Sequence, residues 1–427
     1  MRYISKSFKN VFIKNSKKIL SQPLDVTLVF ILLFIPYAFI IDDASNIFSG
    51  IIYILSLPDG LLVDYMYRGG PGAALLNAAS VGIFGWAILR FSLKKSNVKT
   101  GGIHIAAIWI FPAFALFGKN ILNSIPIILG CLLYCYYKKE PFAKYVAVSI
   151  FATSLAPVAT HMFFIYDGIS LFLSLLLSAI SGILIGFFII PLALQTAKSH
   201  EGFHLYNVGF AAGILAMFLA ILMRNFGFYV YTVSYWHYGS NNKMLFFSLF
   251  ISFSILLIGF FKNNGKISLK ECYLDSKTMG DKLTANEPLT YINMGLAGIF
   301  TTIFAYTLGE LNGPNVGGVL TIIGFAAVGK NIFNMWPVMI GCILAAILFG
   351  WSIDSGILAI AIYSTTLAPL ASKFGPIIGI ISGILHISMA MVIVDIHGGL
   401  NLYNNGAAGG FVAIILLAVM RTFKKEI

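Results

Sequence analysis

The stretch Gly118-Lys119-Asn120-Ile121-Leu122-Asn123-Ser124-Ile125-Pro126-Ile127-Ile128-Leu129-Gly130-Cys131 occurs twice in this chain. It returns as Gly329-Lys330-Asn331-Ile332-Phe333-Asn334-Met335-Trp336-Pro337-Val338-Met339-Ile340-Gly341-Cys342. Each copy sets one Lys, two Asn and one Pro between long apolar runs. A polar, helix-breaking element duplicated inside apolar sequence marks a transporter or channel built from two repeats.

The composition around it agrees. The 427 residues are 59% hydrophobic and 10% charged, where a soluble domain carries about 25% charge. Mean hydropathy is +0.89. The chain reads as an all-α polytopic membrane protein. Runs at 26–41, 169–194 and 374–394 approach or exceed the ~20 helical residues that cross a hydrocarbon core. Runs at 103–117 and 357–370 are shorter and read as tilted spans, half-spans or re-entrant segments. Net charge is +12, but the basic residues lie in loops beside the spans. That is the positive-inside pattern, and nucleic acid is not an expected partner; the lipid bilayer is. Residues 1–23 are basic with interspersed Phe, Val and Ile, and read as an amphipathic interfacial segment without a cleavage site. Four Cys do not make a disulfide framework. Cys131 and Cys342 each follow a Gly and read as small packing residues.

The duplication extends well beyond its opening element. Repeat one covers 24–224 and repeat two 244–421, separated by an aromatic linker at 225–243 and followed by a basic tail at 422–427. Asn77 and Gly82 match Asn293 and Gly298, and Gly101-Gly102 is matched to Gly317-Gly318. Thr153-Ser154-Leu155-Ala156-Pro157 matches Thr365-Thr366-Leu367-Ala368-Pro369. Leu205-Tyr206-Asn207-Val208-Gly209 matches Leu402-Tyr403-Asn404-Asn405-Gly406, and Arg224 matches Arg421. Seven apolar segments fall in each repeat. Asp42, Asp43, Asp59 and Asp64 follow the first span and are expected outside. Lys94, Lys95, Lys138, Lys139 and the Lys-rich loop 262–287 are expected inside. That arrangement needs an odd number of crossings in repeat one, so the repeats are expected to be inverted, with short broken or re-entrant helices at their interface. Both termini are then cytoplasmic, in the inner membrane of a bacterium.

Three paired elements are candidates for the solute pathway. In the first, Lys119, Asn120, Asn123 and Lys330, Asn331, Asn334 read either as a capped helix start with a snorkelling Lys or as the lining of two opposite mouths. Pro126 and Pro337 are expected just inside that helix start. In the second, Thr153, Ser154, Pro157 and Thr365, Thr366, Pro369 read as pore lining, or as a kink whose hydroxyls bond back to the helix. In the third, Asn207 and Asn404 read as N-caps or as carboxamides selecting a neutral polar solute. His386 stands alone in a span opposite Ile185 of repeat one. It is either a coupling residue or a packed hydrogen-bonding one. No His, Cys and carboxylate set has metal-ligand spacing, and no nucleophilic triad or nucleotide loop occurs. No metal, cofactor or enzymatic activity is expected. Almost no Asp or Glu lies deep in a span, which points to downhill passage.

With its paired Gly-Lys-Asn and Leu-Tyr-Asn elements, the chain resembles a family of bacterial membrane proteins with a duplicated domain of unknown function. That resemblance implies no assigned activity. At fold level it is also similar to the urea transporter family. Asn315-Val316-Gly317-Gly318-Val319-Leu320, then Trp336-Pro337-Val338-Met339-Ile340-Gly341, is similar to that family's first helix pair. Tyr363-Ser364-Thr365-Thr366-Leu367-Ala368-Pro369 stands where its re-entrant helix would be. The family's Leu-Pro-x-x-Thr-x-Pro-Phe pattern is missing, so no filter residue carries over. A homotrimer is what this second resemblance implies. The expected function is channel-like or facilitative transport of a small polar solute. A proton- or sodium-coupled transporter and a membrane-embedded enzyme or scaffold are the alternatives.

Overall fold

The computed structural model describes residues 22–56, 58–166 and 168–423. The interfacial segment at 1–23 and the basic tail at 422–427 lie almost wholly outside the described residues. Among the described residues every regular element is helical, apart from two isolated bridges, Val63 with Tyr235 and Asp64 with Phe117.

The first repeat runs through α1 (Pro23–Ile41), α2 (Ala44–Leu55), α3 (Tyr65–Gly69), α4 (Pro71–Lys95) and α5 (Gly102–Phe114). It continues with α6 (Ile121–Lys138), α7 (Val146–Phe163), α8 (Leu171–His200) and α9 (Asn207–Asn225). The second holds α10 (Asn241–Lys262), α11 (Leu269–Asp275), α12 (Lys282–Ala285), α13 (Glu287–Leu308) and α14 (Gly313–Phe325). It ends with α15 (Ile332–Leu348), α16 (Ser355–Phe374), α17 (Pro376–His397) and α18 (Asn404–Phe423). Setting aside α2, α3, α11 and α12, each repeat has seven helices in the same order. Among the described residues, eleven helices are long and apolar enough to cross a membrane. This is a multi-pass helical membrane protein with a duplicated domain.

The Gly-Lys-Asn element starts α6 and α15. Gly118 and Gly329 hold φ of +64° and +114°, a turn that glycine makes without steric cost. The next helix opens on a reciprocal capping box. Asn123 N–H donates to Asn120 Oδ1 (3.0 Å) and Asn120 N–H to Asn123 Oδ1 (2.9 Å). Asn331 and Asn334 repeat the box. Pro126 and Pro337 stand inside these helices, a turn deeper than expected, so each removes an intrahelical hydrogen bond.

Helices α7 and α16 are broken at matching places. Each passes through a 3₁₀ turn, Thr153–Leu155 and Ser364–Leu367, and restarts with Pro157 or Pro369 in its first two positions. Proline is tolerated there because the first turn lacks N–H partners anyway.

Helices α5 and α14 have 13 residues each, about 20 Å of helix, and are buried along most of their length. They pack antiparallel. A Cβ on Gly102, at the start of α5, would fall 2.1 Å from the Ala327 carbonyl oxygen just past α14. A Cβ on Gly313, at the start of α14, would fall 2.6 Å from the Leu116 oxygen. Only glycine permits this approach. The partner of Gly102 is therefore Gly313, by the same offset that carries Gly118 to Gly329. The sequence match to Gly317-Gly318 is out by five residues. Helices α9 and α18 meet near their first turns, where a Cβ on Gly406 would lie 2.7 Å from Gly209 Cα.

Candidate functional site at the repeat interface

Lys119 and Lys330 are fully buried. They neither snorkel nor line two mouths. Each backbone carbonyl is fixed by an Asn from the preceding long helix. Asn77 Nδ2 donates to Lys119 O (2.8 Å) and Ala115 O (2.7 Å), and Asn293 Nδ2 to Lys330 O (2.7 Å) and Ala326 O (3.2 Å). The side chains are thereby held in the protein interior among rings. Lys330 Nζ donates to Thr365 Oγ1 at 2.7 Å and to the Tyr206 hydroxyl, and lies 4.3 Å from the Tyr206 ring and 5.2 Å from Phe325. Lys119 Nζ lies 5.0 Å from both the Phe111 and Phe114 rings. Aromatic contacts join the two lysines. Phe114 meets Tyr403 at 4.8 Å, Tyr403 meets Tyr206 at 4.8 Å, and Tyr206 meets Phe325 at 4.7 Å. The six ion pairs found among the described residues include neither lysine.

The broken helices hold this center across the repeats. Leu402 N–H donates to Ser154 O at 2.9 Å, and Leu205 N–H donates to Thr366 O at 3.0 Å. Tyr206 N–H donates to Thr366 Oγ1 at 3.1 Å. Each Leu-Tyr-Asn loop is thus hung on the break in the other repeat, which brings Tyr206 beside Tyr403. Thr153 and Thr365 hydroxyls bond back to Ile150 O and Ile362 O, and Thr365 also accepts from Lys330. Ser154 Oγ and the Tyr403 hydroxyl are buried with no hydrogen-bond partner among the described residues.

Asn207 and Asn404 do not cap their helices. Asn207 Nδ2 donates to Ala193 O (2.8 Å) and Asn404 Nδ2 to Ala390 O (3.0 Å). Their Oδ1 atoms meet His200 Nε2 (2.9 Å) and His397 Nε2 (3.0 Å). These polar staples fasten α9 to α8 and α18 to α17. His386 Nε2 meets Asn405 Oδ1 at 2.9 Å.

The site therefore gathers Lys119, Lys330, Thr153, Ser154, Thr365 and Thr366. The capping pairs Asn120–Asn123 and Asn331–Asn334 lie one turn away at two separate corners. At one corner, Asn123 Nδ2 donates to Asp59 Oδ2 and Thr160 Oγ1, both at 3.0 Å. Asp59 also accepts from Thr160 (3.0 Å) and from the Tyr65 hydroxyl (2.5 Å). Asp59 borders a cavity of about 900 Å³ lined by Arg68, His161, Tyr67, Tyr229 and Tyr231. A second cavity of about 180 Å³ shares Leu61 with it and reaches Tyr363, Asn404 and Asn405. At the other corner, Asn334 Nδ2 donates to Ser276 O (3.1 Å) and Ser372 Oγ (3.0 Å), and Asn331 Nδ2 to Cys272 O (3.1 Å). There the 262–287 loop lies directly over the helix start.

Burial pushes the Asp59 carboxyl up to about 6, against the opposing pull of the Tyr65 hydrogen bond and the Arg68 charge. Burial likewise raises Asp64 to about 7, against N–H bonds from His237, Met66 and Gly313. Asp64 caps α3 and the start of α14. Asp281 does the same for α12 and the start of α5.

Sequence reading passed over the paired tyrosines Tyr206 and Tyr403, although both stand inside a quoted motif. It also passed over Phe114, Phe325, Arg68 and Asp59 as site residues. The shared spacing of Asp59 to Asp64 and Ser276 to Asp281 was the signal for the last.

A sequence pattern described as a protein of unknown function, DUF1576, matches residues 43–225 and 262–422. The chain belongs to this family. The pattern's two matches are the duplication itself. No curated protein matched the chain, and no solved structure did, so the likeness to urea transporters carries no further argument.

Proposed function

We propose that this protein is a transport protein, channel-like or facilitative, that passes a small polar solute between two inverted repeats. The observation that carries the reading is the pair of fully buried lysines at the repeat interface, neither with a carboxylate partner among the described residues. Withdrawing an ammonium from water costs several kcal/mol. A desolvated cation–π contact returns about 2 kcal/mol and a hydrogen bond from a charged donor about 1.5–3 kcal/mol. Two rings and two hydrogen bonds surround Lys330, and among the described residues its third N–H is left for a polar solute that accepts from it. The antiparallel α5 and α14 support an in-plane two-fold axis between the repeats, and broken helices on that axis are where transporter sites lie. Inversion keeps both termini on the cytoplasmic side of the membrane.

The test is stopped-flow permeation in liposomes, with urea, acetamide, glycerol and small anions and no ion gradient. Downhill flux of one solute is expected, reduced at least tenfold by Lys330→Met in protein that remains folded. Flux that appears only with a proton or sodium gradient would replace this reading with coupled transport. No flux of any solute under either condition would sink it.

A further inference from the structure

The large cavity has a floor that the transport reading does not use. Arg68 has only 7% of its side chain exposed, and its Nη1 is buried with no hydrogen-bond partner among the described residues. Among the described residues the nearest carboxylate oxygen, Asp59 Oδ1, lies 3.8 Å away, beyond hydrogen-bond length. Asp59 does not turn toward it because its oxygens are already taken by Tyr65, Thr160 and Asn123. A guanidinium with an uncommitted N–H therefore lies on the wall of a cavity of about 900 Å³. A buried charged donor left without a hydrogen bond is costly, and the partner that best matches its planar fork is a carboxylate or phosphate. The walls are aromatic. Tyr67 and Tyr235 stack at 5.3 Å with planes 12° apart, and Tyr229 and Tyr231 are largely exposed nearby. Ring faces of this kind take up flat bodies. Among the described residues that line this cavity the charged side chains are Arg68 and Asp59, and Asp59 is already engaged by Tyr65, Thr160 and Asn123, so the free donor on Arg68 favors an anion over a cation.

We infer that this cavity binds a small organic carboxylate with a ring-shaped body, its carboxylate on Arg68 and its ring against the tyrosines. This names a substrate class for the transport reading and rests on that reading only for the solute's onward passage.

The experiment is calorimetric titration of the purified full chain with benzoate, its neutral isostere benzamide, and inorganic phosphate. Benzoate is expected to bind at least tenfold more tightly than benzamide, and Arg68→Gln to remove that preference. Asp59→Asn, which takes away the one negative charge at the floor, is expected to tighten benzoate binding severalfold. Equal binding of benzoate and benzamide, or an unchanged preference in folded Arg68→Gln, would overturn the proposal. Should Arg68→Gln fail to fold, thermal protection of the wild-type chain by benzoate over benzamide decides it. Binding of phosphate or of phosphatidylglycerol in nanodiscs, with no binding of benzoate, would also overturn it by assigning the site to a phosphate or lipid headgroup. Benzoate binding without flux of any solute would sink the transport reading and leave this site. Flux of a neutral solute without benzoate binding would sink this site alone.

Discussion

The two Gly-Lys-Asn corners share a scaffold and differ in what closes them. Both have the left-handed Gly, the capping box, the clamp from Asn77 or Asn293, and a hydroxyl from the following helix, Thr160 or Ser372. The group that receives the inner Asn differs. In repeat one it is the Asp59 carboxylate, beside an open cavity. In repeat two it is the Ser276 backbone carbonyl, under the 262–287 loop. The shared parts are what folding the helix start requires. The parts that differ are the ones free to serve one end of the molecule and not the other. In the proposed orientation the Asp59 end faces outside and the loop-covered end faces the cytoplasm.

The sharpest way to break this comparison is to remove the inner Asn at each corner. Either Asn123→Leu or Asn334→Leu loses a cap worth about 1 kcal/mol and leaves buried partners unpaired at about 1–3 kcal/mol. Only Asn123→Leu also takes a donor from a buried carboxylate, worth about 1.5–3 kcal/mol. Asn123→Leu is expected to cost about 4–5 kcal/mol and Asn334→Leu about 2–3 kcal/mol, measured by reversible unfolding in detergent at pH 8. Equal losses would mean that the carboxylate and the carbonyl are equivalent closures.

The corners should also differ in their response to pH. Asp59 and Asp64 hold folded-state values of about 6 and about 7, above the ~3.9 of an unfolded Asp. The folded chain therefore binds more protons than the unfolded chain between about pH 4 and pH 7, and stability falls as pH rises through that window. The slope reaches about 1.4 kcal/mol per pH unit for each group while it titrates. The two carboxylates contribute a fall in melting temperature from pH 5 to pH 8, read as the wild-type profile minus that of the Asp59→Asn, Asp64→Asn double variant. Asp64→Asn should flatten the upper part of the curve and Asp59→Asn the lower part. At Ser276 there is no side chain to titrate, so Ser276→Ala should leave the profile as it is. A rising or flat difference between the wild-type and double-variant profiles would remove the carboxylates from the comparison.

Much of this fold was legible because duplication prints the same pattern twice. The order of seven segments, the capping residues and the breaks at Thr153 and Thr365 all follow from repeated strings. The helix register at Gly102 did not, because a Gly pair at 317–318 mimics the Gly101-Gly102 pair five residues past the true partner Gly313. The depth of Lys119 and Lys330 was hidden for a different reason. A lysine near a helix start ordinarily reaches for the interface; Phe111, Phe114 and Phe325 stand on the helix just before each lysine, but Tyr206 and Thr365, which hold Lys330, come from distant sequence. The Arg68–Asp59 floor lay in a segment that reads as loop, where sequence alone gives no partner.

The smallest expected effect lies where the repeats differ in their cores. His386 and Asn405 form a buried polar pair, and the matching positions of repeat one hold Ile185 and Val208. An apolar pair and a hydrogen-bonded pair fill the same place, so the His is either a packing solution or a working residue. His386→Ile alone strands Asn405 Oδ1 and is expected to cost about 1–3 kcal/mol. Adding Asn405→Val removes the stranded group and should bring stability within about 1 kcal/mol of wild type, since replacing both partners of a buried hydrogen bond is nearly neutral. The double variant then copies repeat one into repeat two without disturbing the fold. Liposome flux equal to wild type in that variant would make His386 a packing residue and leave the lysines as the polar center of the pathway. Loss of flux from a folded double variant would place His386 on the pathway, and a proton-gradient assay would then decide whether its ring carries the coupling.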